Sequence, residues 1–384
     1  MTIPQRLRDF ADDLTAIRRD LHQHPELGFE EVRTSGIVAQ HLRDFGIEVT
    51  TGIGKTGVVG VLKGNRPGRT IGLRADMDAL PIDEQTNLPY ASKTPGVMHA
   101  CGHDAHTAIL LGAARYLAET RDFAGTAVFI FQPAEEGLGG ARAMIAEGLF
   151  ERFPCDEIYG LHNSPYTEPG KIGVRPGKAM AGANFFDIEI TAKGCHAATP
   201  HNGIDSIVIA SALVQQLQSI VARNVPAHEK VVLSVTQMHA GSAYNVLPEV
   251  ATLAGTVRYF DRDQAEMVTQ RMQDLCDGMA RSYGVEISLA MRNVFDVLEN
   301  DPEMSQALYE AAQGLVGEDA YLHDSQVMGS EDFADMLQVV RGAHCTIGHS
   351  GSVPLHNPGF VLDDALLPLG AALMARMVET RGGA

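Results

Sequence analysis

The chain has 384 residues, 45% hydrophobic and 20% charged, with 48 acidic against 30 basic side chains and a formal net charge of −18. That length exceeds what one hydrophobic core usually organises, so two domains are expected. The acidic balance leaves no basic footprint for a polyanion, which excludes a nucleic-acid partner but still allows a small anionic substrate held by local charge.

In chain order, an amphipathic helix is predicted from about Gln5 to His22, ending at the His24-Pro25-Glu26-Leu27-Gly28 turn, and a second from Thr34 to Phe45, stopped by Gly46. Apolar strand-like runs follow at Gly57 to Lys63, Thr70 to Ala75, Thr126 to Phe131 and Glu157 to Leu161, with a periodic helix over His103 to Glu119 between two of them. Strands alternating with helices predict an α/β domain whose mixed, largely parallel sheet is sandwiched by helices. From about Ala183 the order becomes strand, helix, strand, strand, helix, strand: 185–192, 204–223, 230–238, 250–260, 263–283 and 285–292. That is the ferredoxin-like α+β order, read as an inserted lid over 183–296 that splits the first domain into 1–182 and 297–384. No internal repeat or low-complexity stretch is visible.

Five scattered cysteines, an odd number, argue against a disulfide framework and for reduced thiols. The N-terminal helix pattern lacks the apolar stretch of an export signal, and no run approaches the length of a membrane span. A cytoplasmic protein without a membrane partner is expected.

Chemistry concentrates at three predicted strand exits. Asp76 and Asp78 follow the strand ending at Ala75, Glu135 and Glu136 follow the one ending at Phe131, and His162 follows Tyr159-Gly160-Leu161. Before the central helix lies Met98-His99-Ala100-Cys101-Gly102-His103-Asp104-Ala105-His106, and His356 appears near the C-terminus. A single His or Cys is usually a packing residue; several strand exits bearing such residues are not, since open α/β sheets build their sites there. An extended Cys101-Gly102-His103 would point both side chains one way, with the helix entered at Asp104. Thiolate, imidazole and carboxylate are transition-metal donors. Cys101, which can bridge two cations, would share them with His103, Glu136, His162 and His356. Two divalent ions would leave positions for water and a substrate carbonyl. Glu135, pointing away from its neighbour, suits a general base that later protonates a leaving amine.

Several segments together resemble the aminoacylase, hippurate hydrolase and auxin-conjugate hydrolase family: Arg19-Asp20-Leu21-His22-Gln23-His24-Pro25-Glu26-Leu27, Arg74-Ala75-Asp76-Met77-Asp78-Ala79-Leu80-Pro81, the Met98–Asp104 segment and Gln132-Pro133-Ala134-Glu135-Glu136. Gly160-Leu161-His162-Asn163, Gly329-Ser330-Glu331-Asp332-Phe333 and Pro354-Leu355-His356-Asn357 extend the likeness over essentially the whole chain. The resemblance implies a two-metal amidohydrolase cleaving N-acyl amino acids, with manganese or zinc as the metal and cobalt or nickel as alternatives. It implies Cys101 as the bridging ligand, Glu136 and His356 completing one site, His103 and His162 the other, and Glu135 as base. The wider clan carries His-x-Asp where this chain has Asp76-Met77-Asp78. Asp78 keeps a ligand-orienting position, and the role of Asp76 stays open. In the lid, His196 resembles a histidine that polarises the scissile carbonyl, often across a dimer interface, which implies a homodimer or higher homo-oligomer assembled through that domain. Asn245 and Arg258 resemble positions that bind the substrate carboxylate or oxyanion. His22, His24, His99 and His106 are read as supporting rather than ligating. A dipeptidase of the same clan and a catalytically silent metal-binding relative are the competing readings.

Overall fold

The computed structural model describes residues 3–351 and 353–383. It divides into two compact units, one formed by Met1–Ala179, Leu298–Gln326 and Glu331–Ala384, the other by Met180–Val297 and Val327–Ser330. The short segment 327–330 was not separated from its surroundings in the sequence; its backbone joins the second unit, where Val327 and Gly329 carbonyls both accept from the Ala181 N–H at 3.0 Å.

The first unit is built on an eight-stranded sheet. Its spatial order is Glu48–Ile53, Gly57–Lys63, Ala124–Gln132, Arg66–Asp76, Glu157–Ser164, Gly342–Gly348, Ile172–Val174 and Ala320–Leu322. Arg66–Asp76 runs parallel to both neighbours, and Gly342–Gly348 parallel to Glu157–Ser164, so the centre is parallel while Glu48–Ile53 and Gly57–Lys63 add an antiparallel margin. The parallel strands read as apolar runs because both faces are covered. His103–Thr120 and Leu367–Arg381 pack on Arg66–Asp76, and Pro302–Val316 packs on Gly342–Gly348. His103–Thr120 is buried without interruption from His103 to Ala114 and so belongs to the interior rather than to an amphipathic surface.

The second unit has four antiparallel strands in the order Val231–Ala240, Val250–Tyr259, Gly182–Thr191 and Glu286–Phe295. Numbered along the chain, that is second, third, first and fourth, the ferredoxin-like arrangement, with helices Ser206–Asn224 and Arg262–Tyr283 as the crossovers. Period-two burial in Gly182–Thr191 sends Phe186, Ile188 and Ile190 to the core and exposes Asp187 and Glu189. Ala265, Val268, Met272 and Cys276 supply the matching helical stripe. Asp205 and Asp261 cap the two helices by accepting from the N–H groups of their first turns.

Three expectations are corrected. The N-terminal helix is two, Gln5–Asp9 and Ala11–Gln23, because buried Phe10 ends the first and begins the second. One helix, Ser206–Asn224, is long and apolar enough by length and composition to cross a membrane. Its Ile209, Leu213, Leu217 and Ile220 are buried on one face in the core of the second unit. Finally, Cys101-Gly102-His103 is not extended: Gly102 adopts a φ of +87°, and the helix starts at His103. Only glycine takes that turn without a Cβ penalty, and a Cβ there would overlap the Asn163 carboxamide.

Candidate metal centre

The carboxyl ends of the central strands converge on one cluster, buried at Cys101 and His103, partly covered at His162 and Glu136, and open to solvent at His356. Cys101 enters it from the Met98–Ala100 segment, which pairs with Leu80 beyond the strand Arg66–Asp76. The Gly102 turn then sets His103 at the helix N-terminus. His356, at a φ of +60°, donates its N–H to the Ala100 carbonyl at 2.9 Å, which brings the C-terminal segment beside Cys101. Glu135 and Glu136 follow Ala134, whose φ of +54° turns the chain sharply after Pro133. Buried Glu31 accepts the Ala134 N–H at 2.8 Å, and Asp78 accepts the Glu136 N–H at 2.9 Å, so two carboxylates hold this turn.

Donor atoms of Cys101, His103 and His162 lie within 4.8 Å of one another, and so do those of Cys101, Glu136 and His356. The two groups share Cys101. Cys101 Sγ is 3.3 Å from His162 Nε2, and His356 Nε2 is 3.2 Å from Glu136 Oε1. Each of the first two imidazoles has one nitrogen assigned elsewhere. His103 Nδ1 bonds Asp78 Oδ1 at 3.2 Å, and His162 Nδ1 donates to the Asn163 carbonyl at 2.6 Å. This leaves each Nε2 lone pair facing the cluster, the arrangement by which neighbouring groups orient metal-binding histidines. His103 Nε2 is buried with no hydrogen-bond partner. A buried imidazole nitrogen left unpaired is costly, and a cation shared with the Cys101 thiolate and the His162 imidazole is a group that satisfies it. The residues therefore fit a pair of divalent ions.

The electrostatics agree. Burial and the nearby Glu136 push the Cys101 thiol above its ordinary range. Cys101 and Glu136 raise His356 to about 10. Burial opposes protonation of His103, but Asp76 and Cys101 outweigh it. Without a cation these donors retain protons; a cation replaces them. Glu135 is held well above the usual carboxylate range by burial, then by Glu331, Glu136 and Asp332.

Asp76 is occupied rather than free. Its Oδ2 accepts from Arg74 at 2.8 Å, its Oδ1 pairs with His106 Nδ1 at 2.7 Å, and its carbonyl accepts from Thr107. His106 Nε2 in turn accepts the Asn163 N–H at 3.0 Å. His22 pairs with Asp104 at 2.9 Å, while buried His99 has no partner on either ring nitrogen.

The second unit carries the other candidates. His196 and Asn245 come together because the short strands Cys195–His196 and Val246–Leu247 pair and the Ala197 N–H donates to the Asn245 carbonyl at 3.0 Å. His196 is exposed, its Nδ1 accepting from the Ala198 N–H at 3.1 Å. Arg258 lies on Val250–Tyr259, stacked over Phe185 and donating to Ser330 Oγ at 2.6 Å.

Sequence reasoning gave no role to Arg74, Gln132, Glu331 or Asp332. One signal was available: Arg74 is the only charged residue in Thr70–Ala75, and a cation inside a doubly covered strand requires buried partners.

The peptidase family M20/M25/M40 matches residues 72–380. The chain belongs to this family. Among its M20 relatives, the hippurate hydrolase of Campylobacter jejuni is 41% identical over 378 residues, covering 98% of each chain. The N-acetylcysteine deacetylase of Bacillus subtilis is 40% identical, covering 96% of each. A solved Bacillus subtilis structure, described as a dinuclear metal-binding peptidase of the M20 family, superposes with a TM-score of 0.82 at 37% identity, covering 97% of this chain and 99% of the other. This M20 protein is an amidohydrolase acting on a small-molecule amide.

Proposed function

We propose that the protein hydrolyses N-acyl-L-amino acids to a carboxylic acid and a free amino acid, using two divalent metal ions. The observation that carries this reading is the pair of donor groups joined by Cys101, with Glu135 beside them. Cys101, Glu136 and His356 would hold one ion, and Cys101, His103 and His162 the other. Ions bound there would lower the pKa of water and polarise the amide carbonyl, manganese or zinc serving best and cobalt or nickel also suiting the donors.

The remaining chemistry belongs to the chain. Glu135 accepts the proton of the attacking water and returns it to the departing nitrogen, so that the amine leaves neutral. Its buried position suits this double duty, because a carboxyl raised above its usual range gives its proton up less readily to solvent and can hold it for the leaving amine. Asp78 holds the His103 ring and the Glu136 backbone in one orientation. His196 donates to the scissile carbonyl oxygen, and Asn245 and Arg258 bind the carboxylate of the amino-acid half. The printed names of the two curated relatives, hippurate hydrolase and N-acetylcysteine deacetylase, support an acyl amino acid as substrate. Assembly into a homodimer through the second unit is part of the proposal, supported by exposed Ile207 and Val208 on Ser206–Asn224. A cytoplasmic setting is proposed too, supported by five unpaired cysteines.

The test is amine release from N-acetyl amino acids, hippurate and dipeptides by chelated protein and by protein restored with manganese, zinc or cobalt. Metal-dependent release from acyl amino acids is the expected result. Release from dipeptides alone, or from nothing with metal bound, contradicts the proposal.

A further inference from the structure

Within Gly329-Ser330-Glu331-Asp332-Phe333, Asp332 takes no step in the chemistry above, yet it is fully buried at the edge of the site. Its carboxylate is saturated by donors from three separate elements. Oδ1 accepts from Arg74 Nη2 at 3.0 Å on one strand and from Gln132 Nε2 at 2.7 Å on the next. Oδ2 accepts the Ala141 N–H at 3.0 Å, near the start of Gly140–Ala146. Arg74 is itself fixed: its Nε bonds Gln132 at 2.9 Å, its Nη1 bonds Asp76 at 2.8 Å, and the same Nη2 also bonds Glu331 at 2.8 Å.

A side chain held at three points leaves its peptide little freedom, and that peptide faces the base: the Asp332 N–H donates to Glu135 Oε1 at 3.3 Å. Glu135, Glu331 and Asp332 also bring carboxylate oxygens within 4.8 Å of one another. When Glu135 is ionised, like charges at that range repel, and a donor facing it offsets that repulsion. Arg74 draws the Glu331 and Asp332 carboxylates to itself, and the Asp332 N–H offers Glu135 its one donor from this segment.

We propose that Asp332 is a positioning residue for Glu135: anchored by Arg74, Gln132 and the Ala141 N–H, it aims a backbone N–H at one carboxylate oxygen and leaves the other directed at the reacting atoms. The proposal rests on the reading of Glu135 as the base. Its consequence is kinetic. Misplacing a catalytic group by about 1 Å costs on the order of 100-fold in rate, without a matching loss of substrate binding.

The test is a double-mutant cycle on the metal-loaded enzyme, using the N-acyl amino acid it cleaves best. The single variants are Asp332→Asn, Asp332→Ala and Glu135→Asp, with Glu135→Gln as a reference. Asp332→Ala should lower kcat about 100-fold and Asp332→Asn about 10-fold, with KM within about threefold and metal content unchanged. Asn keeps the volume but sets a donor or a weaker acceptor against three donors, and it carries the cycle if the Ala variant does not fold. In the Glu135→Asp background, loss of Asp332 should cost less than about threefold more, because the group it aims is already displaced. Wild-type kcat in Asp332→Asn, or full additivity with Glu135→Asp, overturns the proposal, since a strut acting elsewhere in the fold gives additive losses. If Glu135→Gln keeps full activity, the failure lies instead in the assignment of the base.

Discussion

Replacing Arg74 by methionine removes one guanidinium from a fully buried site and strands three carboxylates. Arg74 bonds Asp76, Glu331 and Asp332 at 2.8, 2.8 and 3.0 Å, and none of the four side chains is more than 2% exposed. Breaking one buried ion pair by removing a partner costs about 3–5 kcal/mol. Three acids share this cation, so about 3 kcal/mol is the lower bound, against a total stability on the order of 5–15 kcal/mol. Methionine fills much of the volume, so the loss reports charge rather than a cavity. The deficit should also depend on pH. Without Arg74 the stranded acids bind protons more tightly folded than unfolded, so lowering the pH from 8 towards 5 stabilises the variant relative to wild type. Urea unfolding followed by far-ultraviolet circular dichroism suits a chain with no tryptophan. Hydrogen exchange of Arg66–Asp76 isolates the first unit. A variant within about 1 kcal/mol of wild type across that pH range would show that Arg74 does not hold these acids together.

Gly102→Ala places a methyl on a residue with a φ of +87° and against the Asn163 carboxamide, whose Nδ2 donates to the Cys101 carbonyl at 2.6 Å. A strained backbone of this kind costs about 1–3 kcal/mol, and titration calorimetry of the variant should show weakened metal binding because Cys101 moves. His344 is buried and its pKa is lowered to about 4 by burial from an ordinary 6.5. The unfolded chain therefore binds a proton between those values that the folded chain does not, so stability falls as the pH drops through that window. His344→Leu should flatten the pH dependence of urea unfolding there by up to about 1.4 kcal/mol per pH unit, and an unchanged slope would contradict the assignment.

The central strands and the buried helix were legible because burial on both faces demands long apolar runs, and Gly57–Lys63 has the same bounds in sequence and structure. Glu48–Ile53 was not legible: it is an edge strand whose Val49 and Thr50 are only partly covered and whose Thr51 is exposed, and its pairing with Gly57–Lys63 supplies the structure its composition lacks. The short helices Gly140–Ala146 and Leu149–Arg152 are below the length at which periodicity can be read. Residue type alone pointed to the candidate donors that the structure brings together, since Cys, His and Glu grouped near strand exits have few structural uses. Asp332 and Arg74 escaped because acids and arginines are ordinary on surfaces. Their meaning lies in contacts between residues far apart in the chain, from Asp332 with Ala141 at a separation of 191 to Arg74 with Asp332 at 258.

The central claim is that one thiolate is common to two metal sites. Metal stoichiometry of wild type, His162→Ala, Glu136→Ala and Cys101→Ala, by elemental analysis after equilibration with manganese or zinc, tests it most directly. Two ions per chain in wild type, close to one in either single-site variant, and loss at both sites in Cys101→Ala is the predicted result. Two tightly held ions in Cys101→Ala, with amide hydrolysis at the wild-type rate, would contradict it.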